Sequence, residues 1–186
     1  MLEETDRLGR LVEELLMLSR WENGRIQPAS ESLDLARLAR EVADQLAVLA
    51  EERQVALEVS LPAPIMIRAD ATMVRQAVMN VLDNAIKYTR LGTGVRIWAD
   101  SSETHHRLVV DDEGPGIPEK HRAFVAERFY RIDDGRARDS GGTGLGLSIT
   151  QWALNAHDGR LQIGDSPTGG ARIGLVFPRD AAPADS

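Results

Sequence analysis

A run of glycines laced with apolar residues, Gly141-Gly142-Thr143-Gly144-Leu145-Gly146-Leu147, leads directly into Ser148-Ile149 and a helical pattern from about Leu145 to Ala156. Such a loop, joined to a helix N-terminus, turns successive backbone N–H groups toward one point and so makes a site for an anion such as a triphosphate. It is not a phosphate loop of the GxxxxGK[ST] kind, because no Lys-Ser or Lys-Thr follows the glycines. Nor does it fit a dinucleotide fingerprint, which sits early in a βαβ unit. The apolar residues woven among the glycines count against a flexible linker. The formal net charge of -7 means that any phosphate is held locally, and it argues against nucleic acid as a partner. Cysteine is absent, which removes disulfides, thiolate zinc sites and cysteine nucleophiles.

Upstream lies a second glycine cluster. Leu108 to Asp111 reads as the end of a buried strand, followed by Asp112, Gly114, Pro115, Gly116, Ile117 and Pro118. Glycines there let the backbone approach a flat ligand, and an ionised Asp112 can accept a hydrogen bond from an exocyclic amine. Adenine carries that amine; guanine does not at the same position. Taken alone, a D-x-G-x-G is equally an ordinary strand-to-loop turn.

A third feature is the long helix that Asp70 caps and that runs to about Thr89. At about 100° per residue, Gln76, Asn80, Asn84 and Lys87 fall within a sector of roughly 80°, with Tyr88 at its edge. Val74, Val78, Val81, Leu82, Ala85 and Ile86 take the other side. Two asparagines one turn apart can turn carbonyl oxygens toward a hard cation, and a lysine one turn on can meet a phosphate. A solvated polar face explains such a stripe as well.

The rest of the chain supplies the frame. Residues 1 to about 24 read as a helix with Leu8, Leu11, Leu15 and Leu18 on one seam, facing either a partner helix or the domain's own core. A linker is predicted over 27–34, a helix over Leu35 to Glu52, a strand over Val55 to Leu61 and a turn at Pro62 and Pro64. Further strands are predicted at Val95 to Ala99, Arg107 to Val110, Arg160 to Ile163 and Ala171 to Phe177. The polar stretch 118–142 reads as a long loop containing a short helix, and 179–186 as a disordered tail. Helices and strands in this mixed order predict an α+β fold, a two-layer sandwich with helices on one face of the sheet. No apolar run of membrane-spanning length occurs, so the chain as it stands reads as soluble.

These three elements, in this order and at this separation, resemble the N, G1 and G2 boxes of the histidine kinase ATP-binding domain, within the superfamily of gyrase, chaperone, histidine kinase and mismatch-repair (GHKL) ATPases. Glu127-Arg128-Phe129-Tyr130-Arg131 resembles the family's F box, and Thr168-Gly169-Gly170 its terminal glycine box. The resemblance covers residues 1 to 178 and implies the GHKL fold, with a mixed, mostly antiparallel sheet. It implies ATP and Mg²⁺ as ligands, with Asn84 on the metal, Asn80 beside the phosphates and Lys87 contacting them. Tyr88 and Ile117 would flank the adenine, Asp112 would accept from its amino group, and Gly114 and Gly116 would let the backbone come close. Tyr130 and Arg131 would sit near the ribose and terminal phosphate. The backbone of Thr143, Gly144, Leu145, Gly146 and Leu147 would cover the triphosphate, and 118–142 would be the ATP lid. Two positions depart from the family. Ala126 stands where the first phenylalanine of the F box is common, which would loosen lid anchoring, and Asp158 stands where a glycine commonly precedes Gly159, a change expected to be harmless.

Hydrolysing members of the superfamily carry a glutamate one turn before the metal-binding asparagine; here that position is Asn80, which cannot take a proton from water. Asn80, Lys87 and Arg131 would therefore serve positioning and charge stabilisation in phosphoryl transfer to a histidine. Such kinases carry that histidine on a dimerisation hairpin. This chain has no histidine before His105, and its four, His105, His106, His121 and His157, read as ordinary surface residues. Residues 1–26 resemble the end of the second hairpin helix, so the expected partners are the acceptor hairpin and a response regulator. The match over Glu127 to Ile149 resembles kinases paired with winged-helix regulators. A monomer or weak dimer is expected for this chain, a homodimer for a full kinase, and a cytoplasmic location under an inner-membrane parent. The alternatives are a nucleotide-binding module that regulates a partner without transfer, and a GHKL protein-serine kinase.

Overall fold

The computed structural model describes residues 28–61, 64–132 and 143–179, with six helical positions of the N-terminal segment, Gly9, Leu11, Val12, Leu15, Leu16 and Ser19. The elements run β1 (Glu31–Asp34), α1 (Leu35–Glu52), β2 (Ala56–Ser60), β3 (Met66–Ala69), α2 (Ala71–Tyr88), β4 (Gly94–Ser101), β5 (His105–Asp112), the single turn α3 (Glu119–Arg122), α4 (Gly146–Asn155), β6 (Arg160–Asp165) and β7 (Ala171–Pro178). β1 and β3 pair as a separate antiparallel ribbon, and the main sheet has the order β2-β4-β5-β7-β6. β2 and β4 pair in parallel, and among the described residues the other neighbours in the sheet pair antiparallel.

Strand alternation decides which side faces the helices. Val95 and Ile97 of β4, Leu108 and Val110 of β5, and Leu175 and Phe177 of β7 point inward and are buried. They meet Val74, Val78, Val81, Leu82 and Ile86 of α2, Leu38 and Val42 of α1, and Ile149 and Leu154 of α4 in one core. Each such side chain contributes about 1.5–3 kcal/mol on burial, so the core, not local propensity, holds the helices on one face. On the opposite face Trp98 lies between the guanidinium groups of Arg107 and Arg172, 5.6 and 5.2 Å from its ring. Its Nε1 donates to Asp111 Oδ2 at 2.7 Å, and Arg172 holds the same carboxylate through two nitrogens. Burial and the hydrogen bond to Asp111 shift the Arg172 guanidinium in opposite directions, and the bond prevails and raises it.

Two aspartates fix where helices begin. Asp34 Oδ1 accepts from Ala36 N and Arg37 N at the start of α1 and from Ile65 N beside β3. Asp70 Oδ1 accepts from Thr72 N and Met73 N, its Oδ2 accepts from Ala29 N, and its own N–H donates to His157 Nε2 at 2.9 Å. His157 Nδ1 in turn donates to Ala153 O, so one imidazole joins the end of α4 to the start of α2. The structure thus differs from the sequence reading in several places. Residues 31–34, predicted as the end of a linker, form β1, and β3 was not predicted at all. Both strands are only four residues long and lack alternation strong enough to register. His106 is buried with its Nδ1 on Ser101 Oγ, and His157 is engaged at both nitrogens, so neither is an ordinary surface residue. Arg179, assigned to the tail, is tied to the β4–β5 turn at Thr104 O and Ser102 O. Of the leucine seam, Leu11 packs against the core and Leu15 is exposed, while Leu8 and Leu18 lie outside the described residues.

Candidate nucleotide site

α2 is the element around which the site is built, because it touches α1, α4 and β5 at once. Its apolar side is buried, and its polar stripe is left half-exposed toward the start of α4. A Cβ placed on Gly146, the first residue of α4, would lie 3.6 Å from Asn80 Cβ and 3.6 Å from Asn84 Nδ2. The glycine run and the asparagine stripe, 66 residues apart in sequence between Asn80 and Gly146, therefore face each other. Asn80 Nδ2 donates to Gly146 O at 3.0 Å, and Gln76 Nε2 donates to Asn80 Oδ1 at 3.0 Å. Thr150, fully buried, donates its hydroxyl to the same Gly146 O at 3.0 Å. Asn84 has no hydrogen-bond partner among the described residues. Lys87 does not project alone: it is paired with Asp83 one turn back, and sequence reasoning overlooked that aspartate.

Asp112 ends β5 on the inner face and is 7% exposed. Its Oδ1 accepts from Gly114 N at 2.8 Å and Ala171 N at 3.0 Å; among the described residues no bond reaches Oδ2. Burial, the largest influence, pushes this carboxyl above the ordinary range, the two N–H bonds oppose it, and neighbouring Asp111 adds to the rise. The glycines around it are steric necessities. A Cβ on Gly114 would stand 2.7 Å from Tyr88 O, and one on Gly170 would collide with the Asp112 backbone and carboxylate. Gly116 takes φ 72°, a left-handed conformation that side chains disfavour. Gly114 thus brings the end of α2, with Tyr88 at 47% exposed, against the first glycine cluster. Ile117 is half-buried against the core, and its carbonyl accepts from Arg122 Nε.

The F-box segment closes the site from the third side. Phe129 adopts φ 62° and donates its N–H to Gly144 O at 2.9 Å, and Gly144, at φ 76°, has no room for a Cβ beside Phe129 Cα. This contact sets Tyr130 and Arg131, both half-buried, next to the glycine run. Tyr130 OH and His121 Nδ1 are 2.6 Å apart, and the Tyr130 ring stacks on Phe124 at 5.9 Å. His121, read from sequence as an ordinary surface residue, is bonded to Tyr130, and Phe124 was not named there; two aromatics spaced six residues apart around a turn were the signal that could have found this contact. Thr143 Oγ1 accepts from Leu145 N, Leu145 is buried, and Leu147 packs at the margin of the core. Gly141 and Gly142 lie outside the described residues. The structure therefore brings Asn80 and Asn84 to Gly146 and Phe129 to Gly144, with Gly114, next but one to Asp112, against Tyr88 at the C-terminal end of α2.

Among the described residues no group of three or more His, Asp or Glu side chains is placed to hold a metal. A divalent cation here would take an amide oxygen from Asn84 and fill its remaining positions with ligand phosphates and water, which suits Mg²⁺. Among the described residues no helix is long and apolar enough to cross a membrane.

Residues 69–181 match the family model described as histidine kinase-, DNA gyrase B- and HSP90-like ATPase. The chain is 41% identical over 178 residues to a probable sensor histidine kinase, TcrY, of Mycobacterium tuberculosis, covering 95% of this chain and 37% of that protein. It is 34% identical to the sensor histidine kinase CpxA of Escherichia coli, covering 94% of this chain and 38% of that protein. The chain thus spans well under half the length of these relatives. Among solved structures it superposes on full-length ShkA in complex with AMPPNP, with a TM-score of 0.82 and 30% identity over 98% of this chain and 38% of that one. The ATP-binding domain of PrrB from Mycobacterium tuberculosis matches with a TM-score of 0.67 and 26% identity, over 82% of this chain and 99% of that one.

Proposed function

The chain belongs to the family of histidine kinase-, DNA gyrase B- and HSP90-like ATPases, and we propose that it binds Mg²⁺-ATP and transfers the γ-phosphoryl group to a histidine on a dimerisation hairpin, for relay to a response regulator. The observation that carries this reading is the seat of Gly146 against both Asn80 and Asn84. It sets a loop suited to a triphosphate directly opposite amides suited to phosphate and metal. Adenine fits the far end, where Asp112 Oδ2 can accept from its amino group while Oδ1 is held by two backbone N–H groups.

In the transfer, the bond from the γ-phosphorus to the β–γ bridging oxygen breaks, a phosphorus–nitrogen bond forms to the acceptor imidazole, and ADP leaves with the bond's electrons. Mg²⁺ when bound neutralises charge on the phosphate oxygens. Asn84 would hold it. Asn80 would donate to a phosphate oxygen, the N–H groups of the Thr143 to Leu147 backbone would orient the chain of phosphates, and Arg131 would offset charge at its end. Lys87 would reach the phosphates only by exchanging its Asp83 partner for them. One turn before Asn84 stands an amide rather than a carboxylate, so activation of water is poor and transfer to an incoming imidazole is favoured. None of the four histidines of this chain is placed as acceptor: His106 and His157 are internally bonded, His105 lies at the β4–β5 turn and His121 is bonded to Tyr130.

The test begins with calorimetric titration by ATP, with and without Mg²⁺, and continues with addition of a separate acceptor hairpin and radiolabelled ATP. Acid-labile, base-stable phosphate on the hairpin, and none on this chain alone, is the expected result. Tight ATP binding with no transfer to any hairpin supplied would replace the kinase by a regulatory module, and brisk hydrolysis that survives Asn80→Ala would refute the role of the amide.

A further inference from the structure

The polar stripe of α2 holds one residue that nucleotide binding alone gives no part. Gln76 lies one turn before Asn80, half-buried, and its Nε2 donates to Asn80 Oδ1 at 3.0 Å. Asn80 Nδ2 donates to Gly146 O, also at 3.0 Å. A peptide carbonyl can only accept, so Gly146 O dictates that the nitrogen end of Asn80 faces the glycine run. The oxygen end then faces Gln76 and requires a donor there, which Gln76 supplies. The series of bonds has a single polarity, and Gln76 stands at its head. An amide presented nitrogen-first matches an anion, whereas a cation needs the oxygen. Asn84, one turn further on and without a partner among the described residues, keeps its oxygen for that purpose.

We propose that Gln76 is a positioning residue that orients the Asn80 amide as a phosphate donor and thereby leaves the divalent cation to Asn84. This deepens the reading of the site as one for a metal nucleotide and rests on it. The same bonds explain why a side chain that never meets the ligand governs it: Gln76 acts through Asn80, and Asn80 acts through the residue that opens α4. Gln76→Glu reverses the polarity, because a carboxylate accepts from Asn80 Nδ2 and leaves Asn80 Oδ1 opposed to Gly146 O, oxygen to oxygen. Gln76→Met keeps length and bulk while removing the donor.

The experiment is calorimetric titration of the whole chain with ATP, once in excess Mg²⁺ and once in a chelator, for wild type, Gln76→Glu, Gln76→Met, Asn80→Ala and Asn84→Ala. Thermal melts confirm folding, and the Met variant serves where the Glu variant does not fold. Gln76→Glu and Asn80→Ala are expected to weaken ATP by about tenfold under both conditions, the value of one charge-assisted hydrogen bond, so the gain conferred by Mg²⁺ is unchanged. Gln76→Met should lose less, and Asn84→Ala should lose the Mg²⁺ gain while binding in chelator as wild type does. A second readout needs no nucleotide: the side-chain amide resonances of Asn80 should shift in Gln76→Glu and those of Asn84 should not. Gln76 variants that bind as wild type, or that abolish the Mg²⁺ gain, overturn the proposal. Wild-type protein that binds no nucleotide overturns the underlying reading and the proposal with it.

Discussion

Asp112→Asn changes one atom, and the structure says which end of the new amide points where. Oδ1 of Asp112 accepts from Gly114 N at 2.8 Å and Ala171 N at 3.0 Å, and only an oxygen can accept both. The amide therefore seats its oxygen there and puts its NH₂ where Oδ2 stood. An adenine amino group that donated to Oδ2 now meets a second donor. Loss of one hydrogen bond to a charged group costs about 1.5–3 kcal/mol, and at about 1.4 kcal/mol per factor of ten ATP affinity should fall roughly 10- to 100-fold. A purine with oxygen at the 6-position offers an acceptor to the same NH₂, so ITP should bind the variant better than it binds wild type. ITP is the right probe because it lacks guanine's 2-amino group and tests this one contact. Calorimetry with ATP and ITP on both proteins measures the inversion. Equal losses for both nucleotides would mean that Asp112 supports the fold without reading the base, and no change would mean that the base lies elsewhere.

Four further outcomes follow from the same geometry. Burial raises the Asp112 carboxyl above its ordinary 3.8, so the folded state holds that proton more tightly than the unfolded chain does. Its contribution to stability is thus present below about pH 4 and lost as pH rises through the folded value; the melting temperature of Asp112→Asn relative to wild type should climb across the same window, and a flat difference would contradict the assignment. Gly114→Ala places a methyl 2.7 Å from Tyr88 O, a backbone atom that cannot step aside. A loss of about 1–3 kcal/mol in denaturant unfolding, with weaker ATP binding, is expected, and wild-type values for both would show that the end of α2 is free to move. Asp158 sits exposed at φ 53°, so Asp158→Gly should gain about 0.5–1 kcal/mol, the left-handed cost less glycine's added freedom in the unfolded chain; a loss would reveal a contact made by the aspartate. Asp70→Ala removes the cap of α2 and the bond to Ala29 N. It should cost about 1–2 kcal/mol, read by thermal unfolding, and a change under half of that would mean that water replaces the cap.

What was legible in the sequence was whatever a long period or a steric rule writes there. α1 begins and ends at the predicted residues, and α2 follows from Asp70 and the apolar side that includes Val74, Val78 and Val81. The fold class was readable from the mixed order of helices and strands, whereas the neighbours that demand glycine were not: Tyr88 O stands against Gly114 and the Phe129 backbone against Gly144. What escaped was settled by partners distant in sequence. β1 exists because Glu31 to Asp34 finds Met66 to Ala69, a pairing that neither four-residue segment announces alone. Asp83 escaped as well: periodicity places Lys87 on the stripe, and the same helical spacing pairs it with Asp83 one turn back.

The F-box region shows how a departure from a family pattern can be answered from a neighbouring position. Ala126 removes the first aromatic of the box, and from sequence that loosens the segment. In the fold, Phe129 at φ 62° reverses the chain, so that Tyr130 returns over α3 and the residues just after it. The face it meets belongs to His121 and Phe124, not to position 126. An aromatic two residues upstream therefore stacks on Tyr130, and the imidazole one turn earlier takes its hydroxyl. The positive φ of a phenylalanine costs about 1–2 kcal/mol, and the Phe129 N–H bond to Gly144 O, with the three-ring contact beyond it, offsets that cost. The position of Tyr130 thus depends on His121 and Phe124 together, and the substitution at 126 says little about it by itself.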